Sequence, residues 1–312
     1  MKILLLFAGQ GYIKPDLYQI FTTDPKAIKW MQSVQKQLKL DLPNDASKVI
    51  DPVFTQRLIS LYQLGMCSLL APQLEQHDIE LVGYSLGEVS AYMFSIGLGI
   101  PEIDSCIKYR TQIMMDRLSP GEENDYNMVS VYGRFKLEDI NEWCKKYGCF
   151  VAIINADNHV VICGKIKNIQ SLLLNQTHYI NKSHFLSIPL PSHTPLYNLQ
   201  SQQFEQFLLK NYSHKKMKYP ILSTLFHEKN LDNKLQISLL SSALSKPLEW
   251  YKINHLIEEY QYDLILDLGP GQAMSAMLME QDKFKFDKKI IRFSEFKTIA
   301  GIKNHFNNRS VS

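Results

Sequence analysis

One segment constrains the fold of this chain more than any other: an apolar run that leads into G-x-S-x-G and then into a helix-like stretch. The run covers roughly Ile79–Val82, the motif is Gly83-Tyr84-Ser85-Leu86-Gly87, and the helical pattern continues to about Gly97. A strand, a sharp turn and a helix form the context of a nucleophile elbow, which holds a serine at its apex. The Ser85 hydroxyl would lie at a helix N-terminus, where free N–H groups and the helix dipole favour developing negative charge. The motif alone is equally compatible with an ordinary strand-to-helix turn.

The composition excludes two classes of function. The chain has 312 residues, of which 45% are hydrophobic and 21% charged, and its formal net charge is +3. These proportions are those of an ordinary soluble globular protein, with room for a large and a small domain. The lysines form no basic stripe of the kind that nucleic-acid binding requires. No apolar run reaches the roughly 18 residues of a transmembrane helix. Neither nucleic-acid binding nor membrane insertion is therefore expected.

The N-terminus and the cysteines indicate a cytoplasmic protein. Residues 2–7 form a short apolar run that continues into Gly9-Gln10-Gly11 rather than into a cleavage site, so it predicts a buried first strand and not a signal peptide. The five cysteines are an odd number and show no metal-ligand spacing. They predict reduced thiols in the core, with neither a metal site nor a disulfide framework.

Strand and helix patterns predict an α/β fold with two domains. After a polar break at Ser119–Asp125 the elements follow the order β-α-β-β-α-β, which is that of a ferredoxin-like unit. The flanking parts alternate strands with helices, which is typical of a parallel sheet. We therefore predict a large α/β-hydrolase-like domain formed by residues 1–124 and 191–312. Residues 125–190 are predicted to form a small, inserted ferredoxin-like α+β domain.

A serine nucleophile needs a base, and His193 stands out among the nine histidines. Two prolines precede it and one follows it, in Pro189-Leu190-Pro191-Ser192-His193-Thr194-Pro195. Such a stiff segment can hold an imidazole in place. His193 also follows directly after the predicted small domain, which would place it at the cleft between the two domains.

Eight short segments occur in an order and spacing that match one family. They are Phe7–Gly11, Gln56, Gly83–Glu88, Tyr109–Met114, Asn155–Gly164, Pro191–His193, Pro247–Trp250 and Leu268–Gly271. Arg110 lies 25 residues after Ser85 (110 − 85), and His193 lies 108 residues after it (193 − 85). On these motifs, nearly the whole chain resembles the malonyl-CoA:acyl carrier protein transacylases and the acyltransferase domains of polyketide synthases.

The resemblance implies acyl transfer by a Ser–His dyad in a ping-pong mechanism. Ser85 would attack the thioester carbonyl, and His193 would take its proton and later return one to the departing thiolate. The backbone N–H groups of Gln10 and Leu86 would form the oxyanion hole. A backbone carbonyl at about Glu249 would orient the histidine in place of an acid.

The resemblance also implies the substrates and their ligands. Arg110 would pair with the free carboxylate of a malonyl group, because a guanidinium matches two carboxylate oxygens. Gln56, Asn155 and Met114 would complete the substrate site. Malonyl-CoA would be the donor and the phosphopantetheine thiol of an acyl carrier protein the acceptor, in fatty acid or polyketide biosynthesis. A monomer without metal or cofactor is expected.

Three positions near the predicted site depart from the family pattern. Tyr84 replaces the usual histidine, Ala8 replaces a proline, and Tyr12-Ile13 replaces the Ser-Gln that commonly follows the opening motif. They put substrate range and acceptor in question, because the nucleophile, base and carboxylate ligand remain. Glu88 next to the site has two interpretations: a site residue, or an acid that begins a helix.

Three alternatives to malonyl transfer in biosynthesis remain open from the sequence. One is an acyl hydrolase that clears carrier proteins of a trans-acyltransferase polyketide synthase. Another is the transacylase subunit of a malonate decarboxylase, and the last is a catalytically silent docking partner. Arg110 favours transfer, since hydrolase relatives tend to lose this arginine, whereas Tyr84 keeps hydrolysis open. The intact Ser85, His193 and Gln10 argue against a silent protein.

Overall fold

Two β-sheets organise the chain. The computed structural model describes residues 1–11, 13–42, 51–117, 125–186, 190–279 and 289–311. Within these ranges the larger sheet has six strands in the order β11-β10-β1-β2-β7-β8. They are β1 (Lys2–Phe7), β2 (Asp78–Gly83), β7 (Ile221–Leu222), β8 (Lys229–Asn230), β10 (Leu264–Asp267) and β11 (Ile290–Arg292). All neighbours pair in parallel except β7 and β8, which confirms the predicted parallel sheet.

Helices cover both faces of the larger sheet, as they must where a parallel sheet is buried. In chain order they are α1 (Pro25–Leu38), α2 (Pro52–Leu74), α3 (Leu86–Ser95), α4 (Ile100–Asp116), α7 (Asn198–Tyr212), α8 (Asn233–Ser242), α9 (Trp250–Tyr260), α10 (Ala273–Met279) and α11 (Ile299–Val311). Alternate residues of β1 point into two separate cores: Ile3 and Leu5 into one, Leu4 and Leu6 into the other. No helix in the described ranges has the length and apolarity to cross a membrane.

The smaller sheet carries the ferredoxin-like pattern. It contains β3 (Tyr126–Gly133), β4 (Cys149–Ala156), β5 (His159–Lys165) and β6 (Ile180–Phe185), with helices α5 (Leu137–Tyr147) and α6 (Ile166–Asn175). The order β6-β3-β5-β4 and the antiparallel pairing agree with the predicted β-α-β-β-α-β unit, so the predicted fold class is confirmed. The domain boundaries stay a prediction, and residues 118–124 and 187–189 lie outside the described residues.

A short strand extends the smaller sheet in a way that the sequence did not predict. β9 (Leu248–Glu249) pairs in parallel with β4, as the fifth strand of the smaller sheet among the described residues. Residues of both sheets also belong to one hydrophobic core, which contains Leu4 and Leu6 together with Ala152 and Val161. This core therefore connects the smaller sheet to the larger one. The five cysteines are buried and unpaired, as expected of core thiols.

Candidate active site

The G-x-S-x-G segment forms the predicted elbow between β2 and α3. Ser85 has φ 55° and ψ −110°, a strained conformation for a residue with a side chain. A Cβ on Gly83 would lie 2.1 Å from the backbone nitrogen of Glu88, and one on Gly87 would lie 1.9 Å from the carbonyl oxygen of Phe7. Only glycine fits at either position, because strand and helix approach each other so closely.

Ser85 and His193 form a hydrogen-bonded pair. The Ser85 Oγ lies 2.8 Å from the His193 Nε2, and the imidazole is 2% exposed. The His193 Nδ1 lies 2.5 Å from the carbonyl oxygen of Ala243. Since a carbonyl only accepts, Nδ1 carries the proton and donates it, and the neutral Nε2 is left to accept from the serine hydroxyl. This is the arrangement of a nucleophile with its general base.

The backbone around His193 is held by the same short segment. His193 has φ 63°, in the left-handed region, and its N–H donates to the carbonyl oxygen of Leu244 at 2.8 Å. Ala243 and Leu244 therefore fix both the ring and the main chain of the base. Such support is needed where a non-glycine residue adopts a left-handed conformation.

The predicted role of Glu249 as the residue that orients His193 is wrong. Ala243 supplies that carbonyl, because it directly follows α8, and the last carbonyls of a helix have no partner within the helix. Glu249 instead pairs with Ile154 in the smaller sheet. Its carboxylate accepts from Lys252 Nζ at 2.8 Å. The informative signal in the sequence was the end of a helix, and not the P-L-E-W motif.

Burial keeps His193 in its neutral form. Desolvation lowers the pKa of His193 to about 4, against the opposing effect of the hydrogen bond to Ala243, and the charge of Arg110 lowers it further. A base with this pKa is unprotonated over the whole physiological range.

We expect the acid limb of kcat/KM to reflect this low pKa. Activity should stay constant from neutral pH down through pH 6.5 and fall only toward pH 4, because His193 binds its proton there. Initial rates across this range would show it, and an inflection at 6.5 or above would contradict it. Thermal unfolding at each pH is the control, because it separates loss of activity from loss of folded protein. The unfolded histidine binds a proton at higher pH than the folded one, so stability is lost as pH falls from 6.5 to 4.

A cavity of about 510 Å³, including its mouth, opens over Ser85. Seven of the nine predicted site residues line it: Gln10, Gln56, Ser85, Leu86, Arg110, Met114 and His193. Its apolar wall contains Met128 and Ile153 from the smaller sheet, and Leu186 just beyond β6. The cavity thus lies where the two sheets meet. Sequence reasoning missed this wall, because apolar residues on a strand look the same in a cavity and in a core.

Arg110 is a buried cation in this cavity. It is 3% exposed, and its Nη1 donates to the Gln56 Oε1 at 2.6 Å. Its Nε has no hydrogen-bond partner, and no acidic residue in the described part of the chain forms an ion pair with it. Burial lowers the pKa of Arg110 to about 10, so it remains charged at neutral pH. A buried, unpaired guanidinium is destabilising by itself and fits an anionic ligand.

Gln56 connects this cation to Gln10, which is predicted to contribute to the oxyanion hole. Its Oε1 accepts from Arg110 and from the Thr111 Oγ1 at 3.0 Å, and its Nε2 donates to the Gln10 Oε1 at 2.9 Å. These partners fix the orientation of the Gln56 amide. The structure thus brings together Gln10, Gln56 and Arg110, as predicted, and adds Thr111.

Tyr84 and Asn155 form a hydrogen-bonded pair. The Tyr84 hydroxyl donates to the Asn155 Oδ1 at 3.0 Å, and its ring lies edge-on to Trp250 with 5.3 Å between centroids. Tyr84 lines the cavity, whereas Asn155 does not. Asn155 contacts Tyr84, and its role in binding substrate stays a prediction. The departures at Ala8 and Ile13 are both buried, and Tyr12 lies outside the described residues.

No family model matches the chain. Comparison with individual proteins, in contrast, gives one consistent result. The chain is 26% identical over 263 residues to the "Malonyl CoA-acyl carrier protein transacylase" of Buchnera aphidicola subsp. Baizongia pistaciae, which covers 82% of this chain and 75% of that relative. It is 24% identical over 294 residues to the protein of the same name from Buchnera aphidicola subsp. Schizaphis graminum, with 89% and 92% covered.

The fold is similar to that of solved proteins with the same name. The solved malonyl-CoA:acyl carrier protein transacylase of Helicobacter pylori aligns over 99% of both chains, with a TM-score of 0.85 and 20% identity. These relatives share one name and align over most of the chain, and the fold predicted from the sequence is the one observed. In sequence and in fold, the chain is thus similar to the malonyl-CoA:acyl carrier protein transacylases.

Proposed function

We propose that this protein transfers the malonyl group of malonyl-CoA to the phosphopantetheine thiol of an acyl carrier protein. One observation carries the proposal: the Ser85–His193 pair opens into the same cavity as the unpaired guanidinium of Arg110. The first two groups provide acyl transfer, and the third provides selection for an acyl group that ends in a carboxylate. The names of the sequence relatives support the same activity.

In the first half-reaction Ser85 is acylated. As the Ser85 Oγ attacks the thioester carbonyl, its proton moves to the His193 Nε2, while Nδ1 keeps its own proton and donates it in the hydrogen bond to the Ala243 carbonyl. The negative charge on the carbonyl oxygen is placed beside the N–H groups of Leu86, which begins α3, and of Gln10. The tetrahedral intermediate then collapses, the C–S bond breaks, and the coenzyme A sulfur leaves with the proton from His193.

In the second half-reaction the carrier protein enters. His193 takes the proton of the phosphopantetheine thiol, and the thiolate attacks the Ser85 ester. Collapse returns the proton to the Ser85 Oγ and releases the malonyl-carrier. A solved malonyl-transacylase in complex with a type II polyketide synthase acyl carrier protein has this fold, with a TM-score of 0.84, 16% identity and coverage of 99% of this chain and 100% of that one. This complex supports a carrier as acceptor.

The predicted compartment and oligomeric state are part of the same proposal. The enzyme is proposed to be a monomer and to be cytoplasmic. Its buried, unpaired cysteines support the second point, because free thiols are typical of a reducing compartment. A hydrolase or a malonate decarboxylase subunit would use the same dyad. They differ from the proposed enzyme only in the acceptor of the malonyl group, which product analysis identifies.

We expect Arg110→Ala to weaken malonyl transfer by about 10- to 100-fold relative to acetyl transfer. The malonyl carboxylate loses its charge-assisted pair with Arg110, which contributes about 1.5–3 kcal/mol. An acetyl group has no carboxylate, so it loses no such pair. The measurement is the ratio of kcat/KM for malonyl-CoA to that for acetyl-CoA, with formation of acyl-carrier as the readout.

Arg57→Ala provides a matched control for this experiment. Arg57 bridges α2 and α4 through Asp104 at 2.5 Å, and it does not line the cavity. Its loss should change both substrates equally. An equal loss for both substrates in Arg110→Ala would assign Arg110 a structural role and remove the argument for a malonyl group.

A further inference from the structure

Glu88 is a buried acid that the proposed mechanism does not use. It lies in the first turn of α3, three residues after Ser85, and is 2% exposed. Its Oε2 accepts from the Thr224 Oγ1 at 2.6 Å and the Thr224 N–H at 3.4 Å, and its Oε1 accepts from the Gln236 Nε2 at 3.0 Å. Glu88 does not line the cavity. Each group facing its carboxylate donates, so an ionised carboxylate satisfies all of them.

Gln236 connects Glu88 to the helix that supports the base. It lies on α8 and is fully buried. Its Oε1 accepts from the Asn230 Nδ2 at 3.0 Å, which fixes its amide so that Nε2 faces Glu88. α8 ends at Ser242, and the next two carbonyls hold the Nδ1 and the backbone N–H of His193.

These contacts close a ring around the dyad. From Ser85 the ring passes along the first turn of α3 to Glu88, across the hydrogen bond to Gln236, along α8 to Ala243, and through His193 back to the Ser85 Oγ. The serine and the histidine are each strained, at φ 55° and 63°. The ring therefore holds Ser85 and His193 in backbone conformations that neither residue favours by itself.

We propose that Glu88 and Gln236 are positioning residues that set the distance between the nucleophile and its base. Glu88 holds α8 relative to α3, and the two carbonyls that place His193 directly follow α8. This inference rests on the proposed function only in its use of the Ser85–His193 pair. A misplacement of about 1 Å at reacting groups costs on the order of 10²-fold in rate, so the ring has a measurable effect.

A charge-swapped pair of variants tests the proposal. Glu88→Gln places an amide between Gln236 and Thr224, which both donate to residue 88. Whichever way the new amide is turned, its NH₂ group faces one of these two donors. Gln236→Glu puts two carboxylates opposite each other. The double variant Glu88→Gln/Gln236→Glu restores every hydrogen bond: residue 88 accepts from Thr224 and donates to residue 236, which also accepts from Asn230.

The readout is the rate at which phenylmethylsulfonyl fluoride sulfonylates Ser85, which needs the dyad but no acyl substrate. The Ser85 oxygen–sulfur bond forms, the sulfur–fluorine bond breaks, fluoride leaves, and His193 takes the hydroxyl proton. We expect each single variant to react about 10- to 100-fold more slowly than the native protein when corrected for folded fraction. The double variant should return to within about threefold of the native rate, because its hydrogen bonds are restored.

Glu80→Gln is the matched control. Glu80 is a second buried carboxylate, on β2, which accepts from Lys229 Nζ at 2.6 Å and from the Tyr262 hydroxyl at 2.5 Å. Its variant should lower the unfolding temperature and leave the sulfonylation rate unchanged. If the single variants at 88 and 236 behave like Glu80→Gln, the proposal is overturned. The same holds if the folded double variant stays as slow as the single ones.

Asn230→Ala keeps the proposal testable if the single variants do not fold. It leaves Glu88 and Gln236 in place but frees the Gln236 amide, so a folded Asn230→Ala should react several-fold more slowly, and a native rate would overturn the proposal. Malonylation by malonyl-CoA is measured in parallel. Native protein that reacts with the sulfonyl fluoride but not with malonyl-CoA would refute the proposed function and leave the positioning role intact.

Discussion

His193→Ala lowers the rate of malonyl transfer by about 10²- to 10⁴-fold without unfolding the protein. This is the usual contribution of a general base, and no other side chain is within hydrogen-bonding distance of the Ser85 Oγ among the described residues. The rate would be measured from the release of coenzyme A, with circular dichroism to confirm the fold. The same variant should also abolish the low acid limb of the pH profile, because that limb belongs to His193.

His77→Ala is the control for this experiment. His77 also has a pKa lowered by burial, but it packs against Phe306 and does not line the cavity. Its variant should keep the native rate. A folded His193→Ala variant with a near-native rate would mean that another group accepts the serine proton.

Ser85→Ala removes the acyl-enzyme and with it all detectable transfer. In a ping-pong mechanism no other path leads from malonyl-CoA to the carrier, so the expected effect exceeds that of His193→Ala. Intact-mass spectrometry after mixing with malonyl-CoA should show one malonyl adduct in the native protein and none in the variant. Ser90→Ala is a matched control, because Ser90 lies on α3 and its hydroxyl donates to the Ser60 Oγ at 3.0 Å. An adduct that survives in Ser85→Ala would place the nucleophile elsewhere.

The elbow and the base were predictable because each depends on local chemistry. At Gly83 and Gly87 a Cβ would overlap the neighbouring backbone, so the turn can form only with glycine, and the motif records that constraint. The prolines around His193 similarly indicate a fixed backbone, which the structure shows with φ 63° and a main-chain hydrogen bond to Leu244. Features that a few neighbouring residues determine are visible in a sequence.

Features that depend on distant contacts could not be derived from the residues alone. Arg110 shares α4 with Lys108, and position alone does not separate a ligand from a solvated residue, so the prediction for Arg110 depended on the family resemblance. The structure separates them, because Lys108 pairs with Asp104 at 2.8 Å while Arg110 is buried in the cavity. The carbonyl of Ala243 belongs to the main chain and has no side-chain signature, and the family resemblance implied Glu249 in its place. β9 has only two residues, which is too short for any strand pattern.

The fate of the malonyl group on Ser85 tests the account most directly. Malonyl-enzyme, freed of coenzyme A by rapid gel filtration, would be divided between buffer, an apo carrier protein and the same carrier bearing phosphopantetheine. Mass spectrometry of enzyme and carrier would then follow the adduct over time. Rapid discharge with the holo carrier, together with slow loss in the other two samples, is the result that a transacylase predicts. Discharge to free malonate at the same rate in all three samples would contradict it and identify an acyl hydrolase.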